Sequence, residues 1–109
     1  MGDKKIESDL IRGHIDTIIL KVLQEQDRYG YEIIKRIYEC SDGVYELKEA
    51  TMYSCVKRLE KEKYIESYWG DESLGGRRKY YRVLDAGCSV YKKNLEDWEF
   101  AKLLLDKLM

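Results

Sequence analysis

Two clusters of side chains in this 109-residue chain have the types and spacing to act on a polyanion. The first lies in "KEATMYSCVKRLEKEK", residues 48–63. There Met52, Cys55, Val56 and Leu59 recur at helical spacing and leave Thr51, Tyr53, Ser54, Lys57, Arg58 and Lys61 on the other side. Short hydroxyl side chains at the start of such a helix come close to base edges and phosphates, and cations a turn later neutralise phosphates or bond guanine. Taken alone the pattern fits a solvated helix face equally well, because "KRLEKEK" mixes charges at the spacing of surface pairs. The second cluster is "GDESLGGRRKYYRV", residues 70–83, where Arg77, Arg78, Lys79 and Arg82 follow one another with no acid between them. Asp71 and Glu72 stay on the far side of Gly75 and Gly76. Paired glycines let a turn approach a phosphate strand, and an arginine at its tip can clamp phosphate oxygens or enter a minor groove. The plainer alternative is a glycine turn whose cations keep an exposed hairpin edge soluble.

The elements that must position these clusters can be read from periodicity. Residues 8–26 carry Ile11, Ile15, Ile18 or Ile19, Val22 and Leu23 at helical spacing, with Ser8 or Asp9 available as the cap. "DRYG" interrupts the pattern, and residues 31–40 resume it with Ile33, Ile34 and Ile37 on one side. "SDGVYEL" has a turn signal and then an alternation too short for more than a small strand. Residues 48–63 form the third helix. Residues 64–69 and 79–84, rich in tyrosine and β-branched residues, predict an antiparallel hairpin around the cationic loop. From Asp85 a long last helix is expected, its apolar seam formed by Leu84, Cys88, Tyr91, Leu95, Trp98, Leu105 and Met109. The fold class is therefore mainly α with a small β hairpin: a winged helix-turn-helix over residues 1–84 and a dimerisation helix over 85–109. Both cationic clusters then fall on one face, which favours nucleic acid, and the narrow seam favours pairing with a second copy.

Composition narrows the field. Hydrophobic residues make up 44% of the chain and charged residues 38%, the balance of a single solvated globular domain. No apolar run approaches the ~20 residues that cross a bilayer, so no membrane partner and a cytoplasmic location are expected. Net charge of −1 argues against indiscriminate polyanion binding, which makes the local clusters the informative feature. Cys40, Cys55 and Cys88 are odd in number and widely spaced, and are read as small buried apolar residues rather than a disulfide or metal framework. His14 is the single histidine and lacks companions for a metal site. No nucleophile with a base partner and no phosphate-cradling glycine loop occurs, so neither enzyme activity nor a cofactor is expected.

Three segments, "RYGYEIIKRI", "LKEATMYSCVKRLEKEKYIES" and "GGRRKYYRVLDAG", resemble the successive motifs of PadR-type transcriptional regulators, and the chain is similar to the short subgroup with one C-terminal helix. The resemblance implies a homodimeric, mostly repressing regulator that binds a double-stranded DNA operator and releases it when an effector is present. By position it places Thr51, Tyr53, Ser54 and Lys57 on the recognition helix, Arg77, Arg78 and Lys79 on the wing, and Tyr31 near the backbone at the second helix start. Lys48 stands where many relatives have a capping serine, which leaves the first-turn N–H groups to water or phosphate. Leu84 replaces the usual threonine, and Asp85 is expected to cap the last helix instead. In some short members a tryptophan placed like Trp98 lines a cleft between subunits. Trp98 and Leu95 are accordingly candidates for a site that takes a small planar aromatic effector, with plain dimer packing as the simpler reading of Trp98. The rival function is a winged-helix module that binds another protein without contacting DNA.

Overall fold

A computed structural model describes residues 6–70 and 77–109; Asp71, Glu72, Gly75 and Gly76, assigned above to the wing turn, lie outside the described residues. The order is α1 (Ser8–Arg12), α2 (Ile15–Glu25), β1 (Arg28–Tyr29), α3 (Gly30–Cys40), α4 (Glu49–Lys61), β2 (Ile65–Gly70), β3 (Arg78–Val83) and α5 (Asp85–Leu108). The three expected helices and the hairpin are present, and the long last helix follows them. Ile19, Leu20 and Leu23 of α2, Ile33 and Ile37 of α3, Met52, Val56 and Leu59 of α4, and Ile65 and Tyr81 of the hairpin form the core together with Leu47. Burying each such side chain contributes about 1.5–3 kcal/mol; most of them come from the stripes that periodicity picks out, and Leu20, outside the expected stripe of α2, is fully buried as well.

The first helix is not continuous over residues 8–26. The chain leaves the helix at Gly13 and His14, where the His14 N–H donates to the Ile11 carbonyl, and restarts at Ile15. Glycine is a weak helix former, and α1 has no buried residue to hold it in line with α2. Neither Ser8 nor Asp9 caps it: the cap position is Glu7, and Asp9 instead pairs with Arg12 at 2.6 Å. Residues 44–47 form no strand; the turn before them has Asp42 and Gly43 at φ +54° and +78°, and Ser41 Oγ accepts the Tyr45 N–H.

The sheet has three strands in the order β1-β3-β2, all antiparallel. β1, which periodicity misses, pairs Arg28 with Tyr81 and Tyr29 with Tyr80. It anchors the start of α3 to the wing strand. In the hairpin Ile65 pairs with Val83, Ser67 with Tyr81 and Trp69 with Lys79, so these six side chains share one face. Glu66, Tyr68, Arg82, Tyr80 and Arg78 share the other.

α5 enters from β3 through a close contact. Gly87 is buried, and a Cβ there would lie 2.2 Å from the Tyr64 carbonyl oxygen and 2.8 Å from Val83 Cγ2. The same carbonyl accepts the Leu84 N–H at 3.0 Å. Leu84 occupies the cap position without a side-chain bond, and Asp85 is the first helical residue, so Asp85 does not take over capping as expected. Its carboxylate still favours the positive helix start. Val90 and Tyr91 pack against the core, and Asn94 Nδ2 donates to Thr17 Oγ1 of α2 at 2.9 Å. Beyond that contact Phe100, Leu103, Leu104, Leu105, Leu108 and Met109 are exposed. The apolar band is thus broader than the expected seam, and the seam's first half packs on this chain's own α2. Cys55 is buried, but Cys88 is only partly covered and Cys40 is exposed, because it ends α3 on the solvent side.

Candidate nucleic-acid interface

α4 is held by Met52, Cys55, Val56 and Leu59, and that stripe turns Thr51, Tyr53, Ser54, Lys57 and Arg58 outward, where all five are exposed. Ser54, Lys57, Arg58, Glu60 and Lys61 line an open groove along this face. Lys48 holds the cap position with no side-chain bond to the first turn, as its long aliphatic stem dictates. Tyr53 rests over the start of α3: a Cβ on Gly30 would meet its hydroxyl at 2.7 Å and Met52 Cε at 2.8 Å. Gly30 is therefore what lets α3 and α4 approach closely and sets the position of the Tyr53 ring.

Arg58 is engaged inside the chain. Its guanidinium pairs with the Asp16 carboxylate of α2 and reaches Cys55 Sγ at 3.6 Å. The hydrogen bond to Asp16 raises the Arg58 pKa, while burial pushes the Cys55 thiol up and so disfavours a reactive thiolate. Asp16 lies 42 positions away in sequence, and its spacing in α2 reads only as a polar position. Glu60, in the next turn, accepts a hydrogen bond from Ser67 Oγ and fastens the C-terminal half of α4 to β2.

The wing cations divide between the two faces of the hairpin. Lys79 sits opposite Trp69 on the face that packs against α4, and the Arg77 guanidinium lies over the Trp69 ring at 5.3 Å. Arg78 points to the other face, with its guanidinium 4.5 Å from the centre of the Tyr29 ring. Tyr29 stacks with Tyr31 at 6.4 Å, so Arg78 and the exposed Tyr31 belong to one aromatic patch at the start of α3. Tyr80 continues the patch, edge-on to Tyr29 at 5.5 Å and stacked on Tyr68 at 5.7 Å. Arg82 is tied down: it bonds Glu66 at 2.9 Å and Asp27 at 3.3 Å, with its guanidinium over the Tyr68 ring. Tyr68 donates to the same Asp27 carboxylate, a bond that raises the phenol pKa. The four cations that look equivalent in sequence therefore differ: Arg77 and Lys79 join the α4 side, Arg78 joins Tyr31, and Arg82 closes a polar network at the base.

Leu95 and Trp98 stand elsewhere, on α5 against α1 and α2. Trp98 is 39% exposed and meets the His14 ring edge-on at 4.8 Å. With Ile18, Tyr45, Tyr91 and Leu95 they line an apolar cleft of about 640 Å³. Periodicity on α5 finds Trp98 and Leu95; it does not find His14 as a wall, because that depends on the break at Gly13. Among the described residues no three His, Cys, Asp or Glu side chains gather into a metal-binding group, and no helix is long and apolar enough to cross a membrane.

Comparison with known proteins assigns this architecture. The chain is 44% identical over 104 residues to an uncharacterized protein of Lysinibacillus sphaericus, covering 95% of both. It superposes on a transcriptional regulator from Clostridium thermocellum at a TM-score of 0.87, with 50% identity over 94% of this chain and 96% of that one. A PadR family transcription regulator from Clostridium difficile follows at 0.76, with 38% identity over 87% and 97% of the two chains. A PadR-like regulator from Bacillus cereus gives 0.77, with 27% identity over 93% and 96%. Residues 19–93, which run from α2 through the wing into α5, match the transcriptional regulator PadR-like family, and the chain belongs to that family of regulators rather than to any class of enzyme.

Proposed function

We propose that the protein is a homodimeric, ligand-responsive repressor that binds a pseudo-palindromic operator. The observation that carries the reading is the strand register: Trp69 and Lys79 project from the sheet face on which α4 packs, so helix and wing present cations to the same side. Thr51, Tyr53, Ser54 and Lys57 face the major groove, Arg77 and Lys79 grip the adjacent backbone, and Arg78 with Tyr31 contacts phosphate at the start of α3. Arg58 braces α4 against Asp16 and reaches DNA only by giving up that pair. The exposed apolar band of α5 is covered by the same band of a second copy, which places two α4 helices for two half-sites. The cleft at Trp98 takes a planar aromatic effector, whose ring stacks on the indole and whose binding shifts the angle between the two α5 helices.

The test is a titration of the purified protein against a labelled duplex taken from the DNA immediately upstream of its gene. Two protomers per duplex and a steep loss of affinity with salt are expected. Capture of an acidic protein partner with no DNA retardation at low salt would instead establish the protein-interaction reading. For the effector, planar aromatic compounds should quench the indole emission of the wild-type protein, and an undiminished response from Trp98→Ala refutes that part.

A further inference from the structure

We infer that Trp69 is a DNA-contacting residue of the wing, its indole seated on the sugar–phosphate backbone beside the groove that α4 enters. The inference rests on the DNA-binding reading and adds an uncharged contact to it. Trp69 follows Ile65 and Ser67 on one face of β2. Ile65 is in the core, and Ser67 is bonded to Glu60 of α4. Two residues further on, roughly 7 Å along the strand, the same alternation carries Trp69 past the end of the core. It is 57% exposed there, and Lys57 and Lys61 of α4, the helix to which Ser67 of the same strand face is bonded, are exposed as well.

A large indole in that place is more than half exposed, and among the described residues two cations stand beside it. Lys79 stands opposite it across the hairpin, and the Arg77 guanidinium lies over its ring at 5.3 Å. One ring face thus holds a cation, and the rest of the ring is open to solvent. A polyanion approaching these cations meets the indole at the same time. Deoxyribose and base edges supply flat or apolar surface on which a ring can pack, and the stacked guanidinium is held in reach of a phosphate oxygen. The sheet's other face is built differently. Tyr68, Tyr80 and Tyr29 stack on one another there and are only half-exposed, so their rings are used within the chain.

The test uses the emission of each tryptophan in turn. The full chain carries two, Trp69 and Trp98, so Trp98→Phe reports on Trp69 and Trp69→Phe reports on Trp98. Each variant is titrated with a fluorescein-labelled duplex from the DNA upstream of the gene, and anisotropy records binding independently. The expected result is that Trp69 emission falls at saturation in Trp98→Phe, while Trp98 emission in Trp69→Phe stays level. Trp69→Ala should also weaken binding about tenfold and leave a salt dependence close to that of wild type, since no charge is removed. An anisotropy rise with unchanged Trp69 emission overturns the inference alone. No anisotropy rise at low salt overturns the DNA-binding reading and the inference with it.

Discussion

Replacing Gly87 by alanine tests how α5 is seated. On propensity alone the change stabilises, because alanine in a helix is about 1 kcal/mol better than glycine. The packing says the reverse. The new Cβ would lie 2.2 Å from the Tyr64 carbonyl oxygen, so backbone must retreat by about 1.2 Å to reach the 3.4 Å at which ordinary contact begins. That oxygen also accepts the Leu84 N–H, so the retreat strains the bond that joins β3 to α5. Overpacking costs about 1–3 kcal/mol and a weakened hydrogen bond about 1 kcal/mol. Against the propensity gain, the net loss is about 2 kcal/mol, a fall in thermal midpoint on the order of 10 °C for a domain of this size. Gly13→Ala is the control: a Cβ there meets nothing within 4 Å, and the residue already has the helical φ of −72°. It should stabilise by about 0.4–1 kcal/mol. Both are read from circular dichroism melts at equal protein concentration, because self-association of a protein makes its midpoint concentration-dependent. A Gly87→Ala protein that melts at or above the wild-type temperature refutes the reasoning.

Further outcomes follow from other contacts. Arg58→Ala should leave the salt dependence of DNA binding within error of wild type while lowering stability by about 0.5–1 kcal/mol, the value of a partly exposed ion pair; a slope shallower by nearly one would instead make Arg58 a phosphate contact. Hydrogen bonding to Arg36 holds the Glu25 carboxyl below its ordinary range. Its contribution is therefore complete above the unfolded carboxyl pKa and is lost as pH falls through and below that value. Denaturation of Glu25→Gln at pH 7 and pH 3 should show a smaller acid-induced loss than wild type, and an equal loss contradicts the assignment. Gly30→Ala pushes on the movable ends of Tyr53 and Met52 rather than on backbone, so it should weaken DNA binding severalfold with little change in melting temperature. A large drop in melting temperature with unaltered affinity would show that the Tyr53 ring is not placed for DNA.

The parts of the fold that could be read in advance are those set by local periodicity. The stripes of α2, α3 and α4 gave most of the helical core, because each apolar side chain there has one place to go, and the tyrosine and β-branched runs gave the hairpin, whose faces follow only from its register. The break at Gly13 was hidden, since Ile11 and Ile15 keep helical spacing across it. β1 was hidden because two residues carry no period. Within the interface, the outward set on α4 was legible, but the fate of each cation was not. Arg58 depends on Asp16, Arg82 on Asp27 and Glu66, and Arg78 on Tyr29. These are long-range pairings that a linear charge pattern does not encode. Trp69 had a signal in its pairing register with Lys79, which becomes visible only once the hairpin register is fixed.

The central claim, that α4 and the wing together form a DNA-binding surface, is tested most directly by the salt dependence of affinity for the upstream duplex. Wild type should give a steep linear fall of log affinity with log salt. Arg77→Ala combined with Arg78→Ala should flatten the slope by about 1.8, at about 0.9 for each phosphate contact removed. Retention of the wild-type slope in the double variant would contradict the account.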